Sequence, residues 1–295
     1  MSPPEVSPRY LYDSLGSRLF TALTALPEYY LTRTEQSIFD VHGAAIAASL
    51  GTGRTLVDLG AGDCAKAAQL IPYLLPQQYV AIDIAAEYLN AAATGIAQRY
   101  PSMQVTAVAM DFFAAMDWPD TLEKRALSFF YPGSSIGNFS PAAARNFLQS
   151  LSGICRHSVE GSGDLLIGVD LVKSPTVLEA AYDDALGVTA CFNLNLLLHL
   201  NELLGADFDV RGFRHCAVFN TDASRIEMSL VARTAQQVHW RGGERHFEQG
   251  EALVTEHSYK YRQQDFLALL REAGFNAVQC WQDADEAFMV CHARA

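Results

Sequence analysis

Between residues 55 and 171 the chain alternates short apolar runs with longer stretches of helical period, and the first run stops at Gly60-Ala61-Gly62. Residues 55–59, 79–83, 104–109, 126–131 and 164–171 read as strands with little polar alternation, and residues 65–75, 86–100 and 141–155 read as helices. Strands that are apolar at nearly every position are buried on both faces, and the helices between them are the crossovers that parallel strands require. The pattern predicts an α/β fold built on a parallel sheet. Ser140 and Pro141 mark the start of one of these helices: an acceptor side chain at the cap, then a residue whose missing N–H loses nothing in the first turn.

The alternation stops after Lys173. Residues 174–206 look helical, and 207–260 look like longer strands joined by polar turns. A helix over 263–273, ended by Gly274, then precedes two strands, 276–281 and 287–292, around the polar turn 282–286. The order predicts one α/β sheet interrupted by an insertion at about 174–260. Upstream, 13–50 reads as helices, with a clear apolar period over 35–50 that ends at Gly51-Thr52-Gly53. Residues 1–8 carry three prolines and are predicted to form a loose arm.

Charge and composition exclude several classes of partner. The net charge is -12, from 21 Lys+Arg against 33 Asp+Glu, the wrong sign for a nucleic-acid backbone or an anionic membrane surface. Half the residues are hydrophobic and 18% are charged, so the chain can bury a sizeable core. There is no uncharged apolar window of about 18 residues, so no spanning helix is expected. Met1–Val6 opens no secretory signal, and a cytoplasmic monomer is expected. The six cysteines, at 64, 155, 191, 216, 280 and 291, form no Cys-x-x-Cys pair, which suits reduced thiols. The eight histidines are scattered, and no metal site is expected.

Leu56-Val57-Asp58-Leu59-Gly60-Ala61-Gly62-Asp63 is the informative stretch. Glycine at the carboxyl end of a strand lets the backbone turn sharply and approach a ligand without a Cβ clash, and in a doubly wound sheet that end is where cofactors bind. The dinucleotide fingerprint wants a third glycine where this chain has Ala65. Asp58, an acid inside the strand and ahead of the glycines, discriminates better: that pattern resembles class I methyltransferases that use S-adenosylmethionine. Asp83 ends the second strand and can accept both ribose hydroxyls, while Asp111 and Phe112 end the third and can meet an adenine amino group and ring. Each acid alone reads as readily as a cap, but three at successive strand ends coincide poorly by chance. The closing helix and strand pair, 263–292, also suit a class I methyltransferase sheet.

A narrower resemblance rests on motifs that occur in order along the chain. They are Tyr12-Asp13-Ser14-Leu15-Gly16-Ser17, Leu26-Pro27-Glu28-Tyr29-Tyr30, Gly133-Ser134-Ser135-Ile136-Gly137-Asn138, Gly168-Val169-Asp170-Leu171-Val172-Lys173, Ala181-Tyr182-Asp183-Asp184, Phe192-Asn193-Leu194-Asn195, Arg225-Ile226-Glu227-Met228 and Thr255-Glu256-His257-Ser258-Tyr259-Lys260-Tyr261. From about residue 10 onward the chain resembles the histidine-specific Nα-methyltransferase family of ergothioneine biosynthesis. The resemblance implies a Rossmann-like class I methyltransferase domain, 35–173 with 261–295, and an α+β substrate-binding domain, 9–34 with 174–260, inserted before the last helix and hairpin. It implies three methyl transfers from the co-substrate S-adenosylmethionine to the α-amine of L-histidine, through mono- and dimethyl forms, to give hercynine. It assigns Gly60, Lys66, Asp83, Asp111 and Phe112 to the cofactor. Tyr29, Asn138 and Tyr182 go to the amino acid's backbone end, Glu256 and Ser258 to the imidazole, and Tyr12 and Met228 to the pocket wall. It implies that Asn138 and Tyr29 are the catalytic pair. Two departures touch the cofactor region: Gly-Ala-Gly-Asp-Cys stands where relatives often carry Gly-Ser-Gly-Thr-Ser, and Ile84-Ala85 lacks a second acid that some carry. Cys64 therefore sits beside the loop and is the thiol singled out for cofactor-linked reactivity.

The chemistry asks for such residues. A neutral amine must be aimed at a sulfonium methyl to about 3–3.5 Å. Asn138 can orient nitrogen without a charge that would raise its pKa. Tyrosine hydroxyls can hold a carboxylate, and aromatic faces at Tyr12, Tyr29 and Phe112 favour the cationic product. Outside the resemblance, Glu256 reads more simply as part of a solvated strand face, and Asp183-Asp184 as a helix cap. His239 and His246 read as surface residues. Two other readings stay open: the same fold acting on another amino acid such as tryptophan, and a binding module without catalysis.

Overall fold

The computed structural model describes residues 3–111, 126–158 and 163–295. In chain order the helices are α1 Ser14–Thr24, α2 Tyr30–Leu50, α3 Ala65–Leu74, α4 Ala86–Arg99, α5 Pro141–Arg156, α6 Pro175–Tyr182, α7 Val188–Leu204 and α8 Gln263–Glu272. The strands are β1 Thr55–Leu59, β2 Gln78–Asp83, β3 Gln104–Ala109, β4 Leu127–Tyr131, β5 Asp164–Asp170, β6 Phe213–Asn220, β7 Arg225–Ala232, β8 Gln236–Trp240, β9 Gly243–Phe247, β10 Ala252–Tyr259, β11 Ala277–Gln282 and β12 Phe288–Arg294. They fall into two compact units, residues 31–172 with 260–295 and residues 1–30 with 173–259.

The first unit is built on a seven-stranded sheet in the order β11-β12-β5-β4-β1-β2-β3. The strands β1 to β5 pair in parallel, and β12 runs antiparallel to β5. Every residue of β1, β4 and β5 is buried, which explains why these runs show no alternation: helices cover both faces. Val57, Val80, Phe129 and Leu165 of the sheet share one core with Phe147 and Leu151 of α5 and Phe266 and Leu270 of α8. Truncating one such phenylalanine to alanine costs about 3–5 kcal/mol. Ser140 caps α5 as expected, its hydroxyl accepting from the Ala143 amide at 3.3 Å. Neighbours change side at β1, where β2 lies on one flank and β4 on the other, so the carboxyl ends of these strands form the crevice in which such sheets bind ligands.

The second unit joins α1, α6 and α7 to a three-stranded antiparallel sheet, β10-β7-β6, with β8 and β9 forming a separate hairpin. Residues 174–206 are helical as expected, in the two helices α6 and α7. They break at 183–187, where Gly187 takes φ +74° and Asp184 caps α7 through the Val188 and Thr189 amides at 3.0 and 2.7 Å. Those bonds hold the Asp184 carboxyl below its usual range against burial, so the second of the paired acids serves as the cap. The arm is not loose either: Glu5 bridges Val254 in parallel, the Val6 amide donates to the Val254 carbonyl at 2.9 Å, and Val6 packs on the Leu197, Phe213 and Phe247 core. Three prolines disfavour helix but leave an extended segment free to pair at a sheet edge.

Candidate active site

In the first unit, β1 delivers the chain to the glycine loop. Gly60 and Gly62 take φ +73° and +54°, and among the described residues beyond their immediate chain neighbours no atom lies within 4 Å of where a Cβ would stand on either. The loop is pinned to β2 by the Gly60 and Ala61 amides, which both donate to the Ile82 carbonyl at 2.9 Å. At the end of β2 the Asp83 carboxylate accepts from the Gly62 amide at 3.0 Å and from the Ala85 amide at 2.9 Å. Two oxygens offer about four acceptor positions, so acceptor capacity remains for ribose hydroxyls. Asp111 follows β3, half-buried, and the Met110 amide before it donates to the Asp83 carbonyl at 3.0 Å. Phe112 lies outside the described residues. Lys66 stands in the first turn of α3 with its ammonium 2.6 Å from Glu35. Asn138 ends a short 3-10 turn, Ser135–Asn138, that leaves the carboxyl end of β4.

Beneath the loop, Asp58 is buried, accepts from the Tyr79 hydroxyl at 2.7 Å and keeps its other oxygen without a hydrogen-bond partner among the described residues. Burial pushes its carboxyl up to about 7, against the Tyr79 bond that pulls it down. Cys64, buried beside it, is pushed up to about 12 by the same desolvation. The expected reactive thiol is therefore a poor nucleophile. An open glycine loop, an acid with spare lone pairs, an ammonium and an orphaned buried carboxylate oxygen together fit a ligand with ribose hydroxyls and an amino-acid end.

In the second unit the structure brings six sequence-predicted residues together. Tyr12, Phe20 and Phe192 form an aromatic triangle with centroids 5.5–5.9 Å apart. Phe20 meets Tyr29 edge-on at 6.2 Å, and Tyr29 meets Tyr182 at 6.3 Å. The Tyr182 hydroxyl and the Ser258 hydroxyl share a hydrogen bond of 2.8 Å. Glu256 and Ser258 occupy alternate positions of β10 and are both buried, at 8% and 3% exposure, so the solvated-face reading of this strand fails. Met228 of β7 lies directly opposite Glu256 in the antiparallel register, next to an irregularity at Val254/Glu256. The expected surface histidines, His239 and His246, are half exposed on the β8–β9 hairpin.

Several supporting residues were not assigned a role from sequence, although most lie in the quoted motifs. Phe20 and Phe192 complete the aromatic wall. Asn193 donates to His215 at 2.9 Å and to the Ser229 carbonyl at 3.1 Å, and His215 bonds the Tyr182 carbonyl at 2.8 Å. Burial holds the His215 imidazole below its usual range, so a neutral ring can donate through Nε2 and accept through Nδ1. Asn195 donates to Asp13, the N-cap of α1, at 2.8 Å, and a Cβ on Gly16 would collide with the Leu11 carbonyl oxygen. The Tyr12-to-Ser17 and Phe192-to-Asn195 motifs thus lock α1 to α7.

Sheet order, antiparallel closing pair, glycine loop and strand-end acids define a class I methyltransferase that takes S-adenosylmethionine as co-substrate. More narrowly, the chain belongs to the histidine-specific, SAM-dependent methyltransferase family, whose model matches residues 1–295. It is 40% identical to a histidine N-alpha-methyltransferase of Mycolicibacterium smegmatis, over 96% of this chain and 88% of that protein. The figure for a histidine N-alpha-methyltransferase of Mycobacterium tuberculosis is 39%, with the same coverage. Ergothioneine biosynthesis protein 1 of Neurospora crassa is 27% identical over 96% of this chain and 32% of its own length. A solved structure of a possible exported protein from Bordetella parapertussis superposes with a TM-score of 0.50 at 14% identity, covering 97% of this chain and 84% of that one, a likeness of fold alone.

Proposed function

We propose that the chain is an L-histidine Nα-methyltransferase that carries the α-amine through three successive methyl transfers to hercynine. The observation that carries this reading is the buried Glu256–Ser258 pair, with Ser258 bonded to Tyr182 and Met228 opposite Glu256. A desolvated carboxylate beside a hydroxyl accepts and shares the N–H groups that an imidazole offers and an aliphatic or phenyl side chain lacks. S-adenosylmethionine supplies an electrophilic methyl on sulfur, and S-adenosylhomocysteine is left.

The chain's residues bind and aim the acceptor. Tyr29 and Tyr182 hold the amino acid's carboxylate by charge-assisted hydrogen bonds. Asn138 orients the nitrogen through a neutral amide, so it adds no anion that would keep the amine protonated. The faces of Tyr12 and Tyr29 favour a nitrogen that becomes permanently cationic. Gly60, Lys66, Asp83, Asp111 and Phe112 hold the cofactor. The enzyme works as a cytoplasmic monomer. No described helix is long and apolar enough to cross a membrane.

The direct test is mass spectrometry of histidine incubated with the protein and S-adenosylmethionine, with tryptophan in a parallel reaction. A gain of three methyl groups on histidine supports the reading. No gain on histidine, or a preference for tryptophan, overturns it.

A further inference from the structure

A buried carboxylate that no part of the proposed reaction uses sits close to the cofactor loop. Glu35, in the second turn of α2, is 1% exposed. One of its oxygens is 2.6 Å from the Lys66 ammonium. The amide of Gly133 donates to both of its oxygens, at 2.8 and 3.1 Å. The backbone is shaped around this pair at two places. Gly133 takes φ +76°, and a Cβ there would stand 2.8 Å from Lys66 Nζ. Gly168, in the interior of β5, is a position where a Cβ would collide with Glu35 Oε1. Glycine inside a central strand weakens it and marks close approach by another group, and here that group is the carboxylate.

Two of the segments that meet at Glu35 carry residues assigned to the site. Lys66 opens α3, directly after the glycine loop. Gly133 begins the turn that ends at Asn138, and that turn is fixed further on by the Asp170 amide donating to the Ser134 hydroxyl at 2.9 Å. A buried ion pair is poor evidence for stability, because desolvation offsets its attraction. What a short pair with one buried partner does supply is direction: it gives a long, flexible lysine a single orientation.

We infer that Glu35 is a positioning residue of the methyl-donor site, orienting the Lys66 ammonium and anchoring the turn that carries Asn138. The inference rests on the reading that Lys66 faces the cofactor. It predicts that Glu35 acts through Lys66, so the two residues couple.

The test is a double-mutant cycle on S-adenosylhomocysteine affinity, measured by calorimetry, with the thermal midpoint of each ligand-free variant as a check on folding. Glu35→Gln keeps the shape and removes the charge, and should weaken binding about tenfold or more, the scale of one charge-assisted hydrogen bond. Lys66→Met should weaken it comparably. In the Lys66→Met background, Glu35→Gln should change affinity less than about twofold, since coupled neighbours do not add. The double variant also removes both charges, so it leaves no unpaired buried ion and keeps the cycle open if Glu35→Gln alone is too unstable to titrate. In that case the double variant should bind as Lys66→Met does, and a weaker double variant overturns the proposal. Glu35→Gln binding like the wild type, or losses that add on a logarithmic scale, overturns it as well. If Lys66→Met itself binds normally, the placement of Lys66 is wrong and the proposal falls with it. If histidine is not methylated by a wild type that binds S-adenosylhomocysteine, the substrate reading fails while this cycle stands.

Discussion

Glu256 has neighbours that make its loss informative. It is buried on β10 opposite Met228, and Ser258 on the same face is held by Tyr182. A site built around a polar partner rejects analogues that leave its own group unpaired. Glu256→Ala should lose about 2–3 kcal/mol of histidine binding and admit bulkier aromatic amino acids, with Met228→Val adding to the second effect. The check is kcat/KM for histidine and tryptophan in each variant; an unchanged preference for histidine means the imidazole is read elsewhere. Asn138→Ala should lower kcat while leaving S-adenosylhomocysteine affinity close to wild type, and a collapse of that affinity would move Asn138 to the cofactor. Cys64 makes a third case. Its thiol is buried and pushed up to about 12, whereas Cys191 is exposed, so iodoacetamide at pH 8 should label Cys191 and spare Cys64. Labelling of Cys64 at a comparable rate, read by peptide mass, contradicts the buried environment.

The strand β1 carries a charge problem inside the sheet. Asp58 is 1% exposed and desolvation moves its carboxyl from an ordinary 3.8 to about 7. The folded state then holds the proton more tightly than the unfolded one. The contribution of Asp58 to stability is therefore fully present below about pH 4, falls as pH rises through the interval to about 7, and is flat above it. The full loss is on the order of 4 kcal/mol. Asp58→Asn, which still accepts from Tyr79, should raise the melting temperature of the ligand-free protein at pH 8 and change it little at pH 4. An equal gain at both values would show that something other than ionisation is at work. This element was well announced in the sequence, because a strand, a glycine turn and an acid are contiguous and their chemistry is local. Glu35 was not. It lies in an ordinary amphipathic stretch, and its partners Lys66, Gly133 and Gly168 become neighbours only through the sheet. The trace it left was a glycine in the middle of β5, which no local rule requires. The loose-arm reading of 1–8 missed for the same reason, since its partner Val254 is remote in sequence.

Taken as a molecule, the chain closes its large sheet late. The insertion was legible as a break in the strand–helix rhythm after Lys173, and the return of a helix and two strands was legible at 263. Which strand they would join was not, since pairing is decided by distant registers. The answer is that β12 pairs along all of β5, with Phe288, Met289, Val290 and Cys291 fully buried. A chain ending at Tyr259 should therefore show no cooperative thermal transition, and a sharp transition by circular dichroism would refute this. The same pairing bears on how the protein is made. Roughly 120 residues separate the two strands, and at about 5–20 residues per second their synthesis takes on the order of ten seconds. For that interval β5 leaves the ribosome with one edge unsatisfied, a ready template for a neighbouring nascent chain. This adds an aggregation hazard during manufacture to any the finished edges carry, and expression yield should respond to the rate of translation and to holdase chaperones.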